Sequence, residues 1–465
     1  MVQTNNETGI TRALGSFAQS LEYEDLSPEV IDWAKYLCLD FAAVTLNGST
    51  TGSARAVVDA LQRLGRSGPS AIVGTPHRVL PEYASMANGV AFHSIEMDDV
   101  NNEASLHPGV VAFPTALSMA DLAHVSGKDF IAAVVAGYDV IVRLGRALQP
   151  AEHYGRGFHP TGTCGAFGAA VVAGRLLGLQ GDDFIHALGI AGSQTAGSME
   201  YLAQGAWTKR LHPGWASHSG SWAALLARSG YTGPTTIFEG RDGFLQAYSG
   251  NPEPSLVLQD LGEEYLITRT GIKPHACCRY KQGPIDCLIE LRNAHGLTSE
   301  DVEEVTIGVL SGGYKLIASP EEDKANPRTV VDMQFSMPFG AAVALAYGRA
   351  SLQEYTDGVP DRPEVRHILP RVKCVTDPEL DAHFPREFRA WAEVATTDGR
   401  RLRSDIRYPK GDPENALSWD EMKEKFTVLT SPVISSQRQQ EIIAAIESLE
   451  EMDDVRQLAA LLSTE

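Results

Sequence analysis

Long apolar runs, paired cysteines and an excess of positive charge are all missing from this chain. No stretch approaches 18 consecutive apolar residues, so no membrane-spanning helix is expected. Against 59 Asp and Glu stand 39 Lys and Arg, a formal net charge of −20. Nucleic acids and anionic membrane surfaces both need a basic face, so neither is an expected partner. A small anionic substrate stays open, because a local Lys/His pocket can be positive inside an acidic protein. Of six cysteines only Cys277-Cys278 are adjacent, and no CxxC pair occurs. That spacing suits neither zinc nor a redox centre, and no metal is expected. The opening MVQTNNETGITRAL lacks a charged-then-apolar leader, so a cytoplasmic protein is expected.

What is present reads as mainly α. With 465 residues the chain is too long for one ordinary core, and two domains are expected. Ser27-Pro28 is a helix start, and Val30, Trp33, Ala34, Leu37, Cys38 and Phe41 follow at helical spacing. Apolar faces recur over 83–93, 114–126, 129–148, 165–177, 183–196 and 217–229. Segments such as GAFGAAVVAG are rich in small residues, which let helices approach closely. Near residue 300 the period changes to two: Val305, Ile307 and Val309 alternate, as do Val372 and Cys374. Asp398-Gly399 forms the turn of a hairpin over 393–402. Ser418 and Glu421 form a capping box, and Ile442, Ile443, Ile446 and Leu449 mark a last amphipathic helix. The expected architecture is a large all-helical domain from both chain ends, 1–270 plus 409–465, with a smaller inserted α+β lid domain over 271–408.

Chemistry is concentrated in a few His and Lys residues beside Gly or Pro. Glu96, Asp98 and Asp99 form an acidic cluster in an apolar stretch, where a carboxylate can orient or charge a neighbouring His or Lys; a solvated helix end is the plainer reading. His107-Pro108-Gly109 places a histidine at the lip of a helix. Gly157-Phe158-His159-Pro160-Thr161-Gly162-Thr163 opens a small-residue helix whose amides and hydroxyls suit a carboxylate. Lys209-Arg210-Leu211-His212 packs three cationic or titratable groups into four residues, between Trp207 and Trp215. Lys273-Pro274-His275 lies at the expected domain junction, where pockets concentrate.

These segments, HSIEMDDV with HPG, GFHPTGTCGAFGAA, TKRLHPGWASHSG, GIKPHACCRY, QFSMPFGAA and GDPENALS, resemble the MmgE/PrpD family over nearly the whole chain. The family includes 2-methylcitrate dehydratase, cis-aconitate decarboxylase and iminodisuccinate epimerase. The resemblance implies a helical domain with an α+β lid, a site in the cleft between them, and a homodimer that works without a cofactor. It maps the family's two catalytic histidines to His107 and His159, and its two lysines to Lys209 and Lys273. Glu96 stands where the decarboxylase carries Asp, and Val100 where it carries Thr.

The implied chemistry is proton transfer at a carbon alpha to a carboxylate of a citrate- or aconitate-like acid. His107 is the expected acid/base, oriented by Glu96 or Asp98. Lys209, Lys273 and His159 are expected to face the substrate carboxylates, with Arg210, His212, His275 and Thr161 as further binding groups. Loss of water or of CO₂ makes the enzyme a lyase, and reprotonation on the other face makes it an epimerase of a substituted succinate. A non-catalytic helical binding protein would leave the His/Lys set scattered. A metal-dependent hydratase would need ligand spacing that the chain does not offer.

Overall fold

A computed structural model describes residues 9–65 and 67–464. The expectation drawn from the first residues of the opening segment falls on 1–8, outside the described residues. The fold is mainly α. Ser27 caps α1 (Pro28–Gly48), its hydroxyl accepting the Val30 N–H at 3.3 Å, with Pro28 at the first helical position. The body continues with α2 (Pro81–Phe92), α3 (Gly109–Ala123), α4 (Gly127–Ala147), α5 (Pro160–Leu176), α6 (Asp182–Gly192) and α7 (Thr208–Arg228). α7 lies across α5 and α2, and α4 packs on the other side of α5. The small residues explain how closely these helices sit: a Cβ on Gly220 of α7 would fall 2.4 Å from the Ala166 carbonyl oxygen of α5.

Two helices begin earlier than the apolar periodicity alone predicts. α3 contains Pro114 and α7 contains Pro213, each six residues in by helix count, so both start upstream of a residue that normally breaks a helix. The gain for α7 is that Lys209 to His212 lie on its first turns rather than on a loop. The helical body also holds two short antiparallel ladders that the all-helical expectation does not include. One joins Ser70–Ala71 to Arg78–Val79; the other joins β1 (Asp99–Asn101) to β2 (Thr270–Ile272). The expected junction at 270–271 therefore falls inside β2.

Beyond it, α8 (Gln282–His295) and α9 (Met337–Tyr347) pack together beside a four-stranded sheet. Its order is β4 (Val372–Thr376), β3 (Val302–Val309), β5 (Ala390–Thr396), β6 (Arg401–Ile406), with only β3–β4 parallel. Asp398-Gly399 makes the β5–β6 turn, Gly399 at φ 88°. Ser418 and Glu421 close a capping box on α10 (Trp419–Thr430), which packs back on α1 of the body and is followed by α11 (Ser436–Glu447). Among the described residues no helix is long and apolar enough to cross a membrane.

Candidate active site

The β1–β2 ladder builds the acidic half of the site. Its register pairs Asp99 with Ile272, so the next residues outward, Asp98 and Lys273, meet across the end of the ladder. Lys273 Nζ donates to Asp98 Oδ1 at 3.1 Å and to Glu96 Oε2 at 3.4 Å. Side chains alternate along a strand, so Asp99 points the other way. There it accepts the Tyr138 hydroxyl at 2.8 Å and the Gly109 amide at 3.0 Å. Burial and the Asp98 charge push Asp99 well above the usual carboxylate range. The two adjacent aspartates thus have separate jobs: Asp99 braces the start of α3, and Asp98 faces the site.

Asp98 Oδ2 lies 3.0 Å from His93 Nδ1 and 2.9 Å from His107 Nδ1. His107 Nδ1 is also 2.6 Å from the Asp99 carbonyl oxygen. Facing two acceptors, that nitrogen must carry the proton, which leaves Nε2 as the basic nitrogen of the neutral ring. Thr161 supports the same loop, its hydroxyl accepting the His107 amide at 3.2 Å. Burial holds the His107 pKa below its ordinary value against the opposing pull of Asp98. Burial and then Lys209 push His93 down to about 3. Burial alone would raise Asp98, but Lys273, His93 and His107 outweigh it and hold the carboxylate well below its usual range.

Glu96 extends the chain of charges. Its Oε1 binds Lys209, from the first turn of α7, and its backbone is left-handed at φ 57°. Lys209 and Lys273 together overcome the burial that would raise Glu96 and hold it ionised. Two lysines and two carboxylates alternate through this buried network, so their charges balance without further help. His93, Asp98 and His107 bring three ligand-type atoms within 4.8 Å of one another. Hydrogen bonds and the Lys273 ammonium already engage both Asp98 oxygens and the Nδ1 atoms of His93 and His107, so these three side chains read as a proton-sharing triad, while His93 Nε2 is buried without a partner.

A narrow cavity of about 40 Å³ opens beside it. Glu96, His107, His159 and Lys209 line it from the body, and Cys278, Arg279, Tyr280, Leu316, Phe335 and Phe388 close it from the far side. Of the sequence-predicted residues, Asp98 and Lys273 stand behind this wall and act on it through His107 and Glu96. His159 Nδ1 meets His212 Nδ1 at 3.0 Å, so His212 backs His159 without lining the cavity. Burial pushes His212 down to about 4 and His159 well below its ordinary value, leaving both neutral. Arg210 is turned away: its guanidinium binds Ser53 and Gln334 beside a separate crevice. His275 is also elsewhere, 2.8 Å from Asp286.

Family models match both halves of the chain, the MmgE/PrpD N-terminal domain over residues 12–257 and the MmgE/PrpD C-terminal domain over 275–451. The chain belongs to the MmgE/PrpD family. It is 31% identical to the cis-aconitate decarboxylase-like protein oryM of Aspergillus oryzae, over 99% of this chain and 98% of that protein. It is 27% identical to a cis-aconitate decarboxylase of Aspergillus terreus, over 99% and 97%. A 2-methylcitrate dehydratase of Cupriavidus necator is 25% identical over 59% of this chain and 58% of its own.

Two members of this candidate site were not singled out from sequence. His93 ends α2 inside the same apolar stretch as the acidic cluster, and a histidine so placed was the available signal. Arg279 was visible only as a cation in the KPHACCRY segment. It lines the cavity with its charge held by Asp412 at 2.5 and 2.7 Å, by Asn102 at 2.7 Å, and by the Phe388 ring at 4.2 Å.

Proposed function

We propose that this member of the family is a lyase that removes CO₂ or water from a small polycarboxylate by proton transfer at His107. The observation that carries the reading is His107 itself: Asp98 fixes its tautomer, and the ring lines a cavity that Lys209, His159 and Arg279 share. End-to-end similarity to proteins named cis-aconitate decarboxylase supports the polycarboxylate. Lys209 and Arg279 would attract the substrate carboxylates, and the His159 imidazole would donate to one. In loss of CO₂, the bond from carbon to a carboxylate breaks, its electron pair stays on the carbon skeleton, and imidazolium at His107 protonates that skeleton. In loss of water, neutral His107 takes the proton alpha to a carboxylate and returns it to the departing hydroxide. Positioned acid/base groups contribute on the order of 10²–10⁴-fold.

Proton NMR in deuterated buffer with cis-aconitate, citrate, 2-methylcitrate and a substituted succinate tests the reading. CO₂ release, water loss or deuterium entry with one acid would name the reaction and separate lyase from epimerase. The reading fails if none of these acids turns over or exchanges.

A homodimer belongs to the same reading. Leu211, Trp215 and Trp222 share one face of α7 and are 39, 41 and 42% exposed, an apolar stripe that suits a second copy. Light scattering should give twice the chain mass, and Trp215→Glu should halve it. Six unpaired cysteines, five of them buried, support placing the enzyme in a reducing, cytoplasmic setting.

A further inference from the structure

We propose that Lys425, from the C-terminal tail, is a positioning residue that holds the two site-bearing segments together at the frayed end of the β1–β2 ladder. The inference rests on the reading of His107, Asp98 and Lys273 as the proton-transfer site. Lys425 lies on α10, and its side chain is almost wholly buried. Its ammonium has three donors, and the structure uses all three. One goes to Asp40 Oδ1 on α1 at 2.6 Å, one to the Met97 carbonyl at 2.8 Å, and one to the Lys273 carbonyl at 3.0 Å.

Those two carbonyls are where the ladder stops. β1 and β2 pair through Asp99 and Ile272, and no inter-strand rung continues to the residues beyond. Met97 separates Glu96 from Asp98, and Lys273 is the residue that meets both. Strand pairing therefore ends one residue before the charges that matter, and Lys425 takes over from it. The need is local: Glu96 sits in left-handed backbone, a conformation that persists only where its surroundings over-determine it.

Asp40 supplies the counter-charge. It is fully buried in α1, and its second oxygen, Oδ2, has no hydrogen-bond partner. Among the described residues its one side-chain hydrogen bond is to Lys425, so this cation is what offsets its burial. Here its role is to keep a cation where three segments meet. Neither Lys425 nor Asp40 lines the cavity, so neither is a catalytic residue.

Two variants test this, Lys425→Met and the double variant Asp40→Asn/Lys425→Met. The single variant strands the Asp40 charge and should melt lower. The double variant removes that charge and should regain most of the melting temperature. In both, kcat should fall at least tenfold while KM stays within about threefold, and hydrogen exchange of peptides spanning 94–101 and 270–276 should quicken while the rest of the chain is unchanged. A double variant with wild-type kcat and wild-type exchange in those peptides would overturn the proposal. So would one that regains neither melting temperature nor protection anywhere, because the pair would then be a general folding element. If the wild type turns over none of the acids, the reaction reading falls, and the exchange measurement alone still decides the positioning role.

Discussion

Asp98 Oδ2 faces two imidazole nitrogens while Oδ1 receives the Lys273 ammonium, so one carboxylate governs the protonation of three neighbours. Replacing it by Asn keeps the shape and removes the charge. Lys273 would keep only its 3.4 Å contact to Glu96, and an amide NH₂ would face either the lysine or the histidines. Breaking one partner of a buried ion pair costs about 3–5 kcal/mol. Asp98→Asn should lose stability on that scale in urea unfolding, together with its activity. His107→Asn should instead leave stability nearly intact and lower kcat by about 10²–10⁴.

The direction of the His107 shift has a consequence for binding. Its folded pKa lies below the ordinary value, so the ring is neutral near pH 7 in the empty site. A polycarboxylate in the cavity brings negative charge beside it and raises that pKa. Binding should therefore take up a fraction of a proton per site. Titration calorimetry of a tricarboxylate in two buffers of different ionisation enthalpy measures this directly. Heats that do not depend on the buffer would mean that His107 does not meet the ligand.

At the scale of elements, the position of Lys273 depends on how closely β2 approaches the start of the tail. Ile272 N–H donates to the Gly411 carbonyl at 2.8 Å, and a Cβ on Gly271 would fall 2.5 Å from that same oxygen. No real Cβ tolerates that distance from backbone, so Gly271→Ala must displace β2 or the 411–412 segment. Helix content by circular dichroism should be unchanged and turnover should drop at least tenfold, because Lys273 leaves Asp98. An alanine variant with full activity would show that the ladder does not set the site.

The same ladder shows where sequence reading stops. Helix periodicity, the Ser27 and Ser418 caps and the Asp398-Gly399 turn each depend on residues near one another in the chain, and the structure has all of them. β1 and β2 are three residues each and pair across about 170 positions, too short for a period and too distant for a local signal. Among the chemistry-bearing residues, His107, His159, Lys209 and Glu96 reach the cavity; the Gly/Pro contexts of the first three and the apolar setting of the Glu96 cluster were the visible signs. The placement of Arg210 and His275 was not legible. Lys209 and Arg210 are neighbours on α7 about 100° apart, so a helix that carries the first into the site turns the second out of it. Lys425 lay in an ordinary amphipathic helix, with no local feature to distinguish it from a surface lysine.

For the whole molecule, the size of the cavity sets the order of events. About 40 Å³ holds a few water molecules and cannot hold a six-carbon acid. One wall belongs to the helical body and the other to residues 278–280, 316, 335 and 388, so seating such an acid is expected to require the two walls to part. Arg279 ties them together, because Asn102 belongs to the body and Asp412 to the segment that returns to it. Association limited by such an opening gives an observed rate that levels off as ligand concentration rises, at the rate of the opening step, instead of climbing in proportion to concentration. Stopped-flow mixing with a non-reacting tricarboxylate should show that plateau. Arg279→Lys replaces a fork that grips both Asp412 oxygens by a single-point cation, so it should weaken the closure and raise the plateau. A rate that climbs linearly to diffusion-limited values in the wild type would show instead that the walls stand apart in solution.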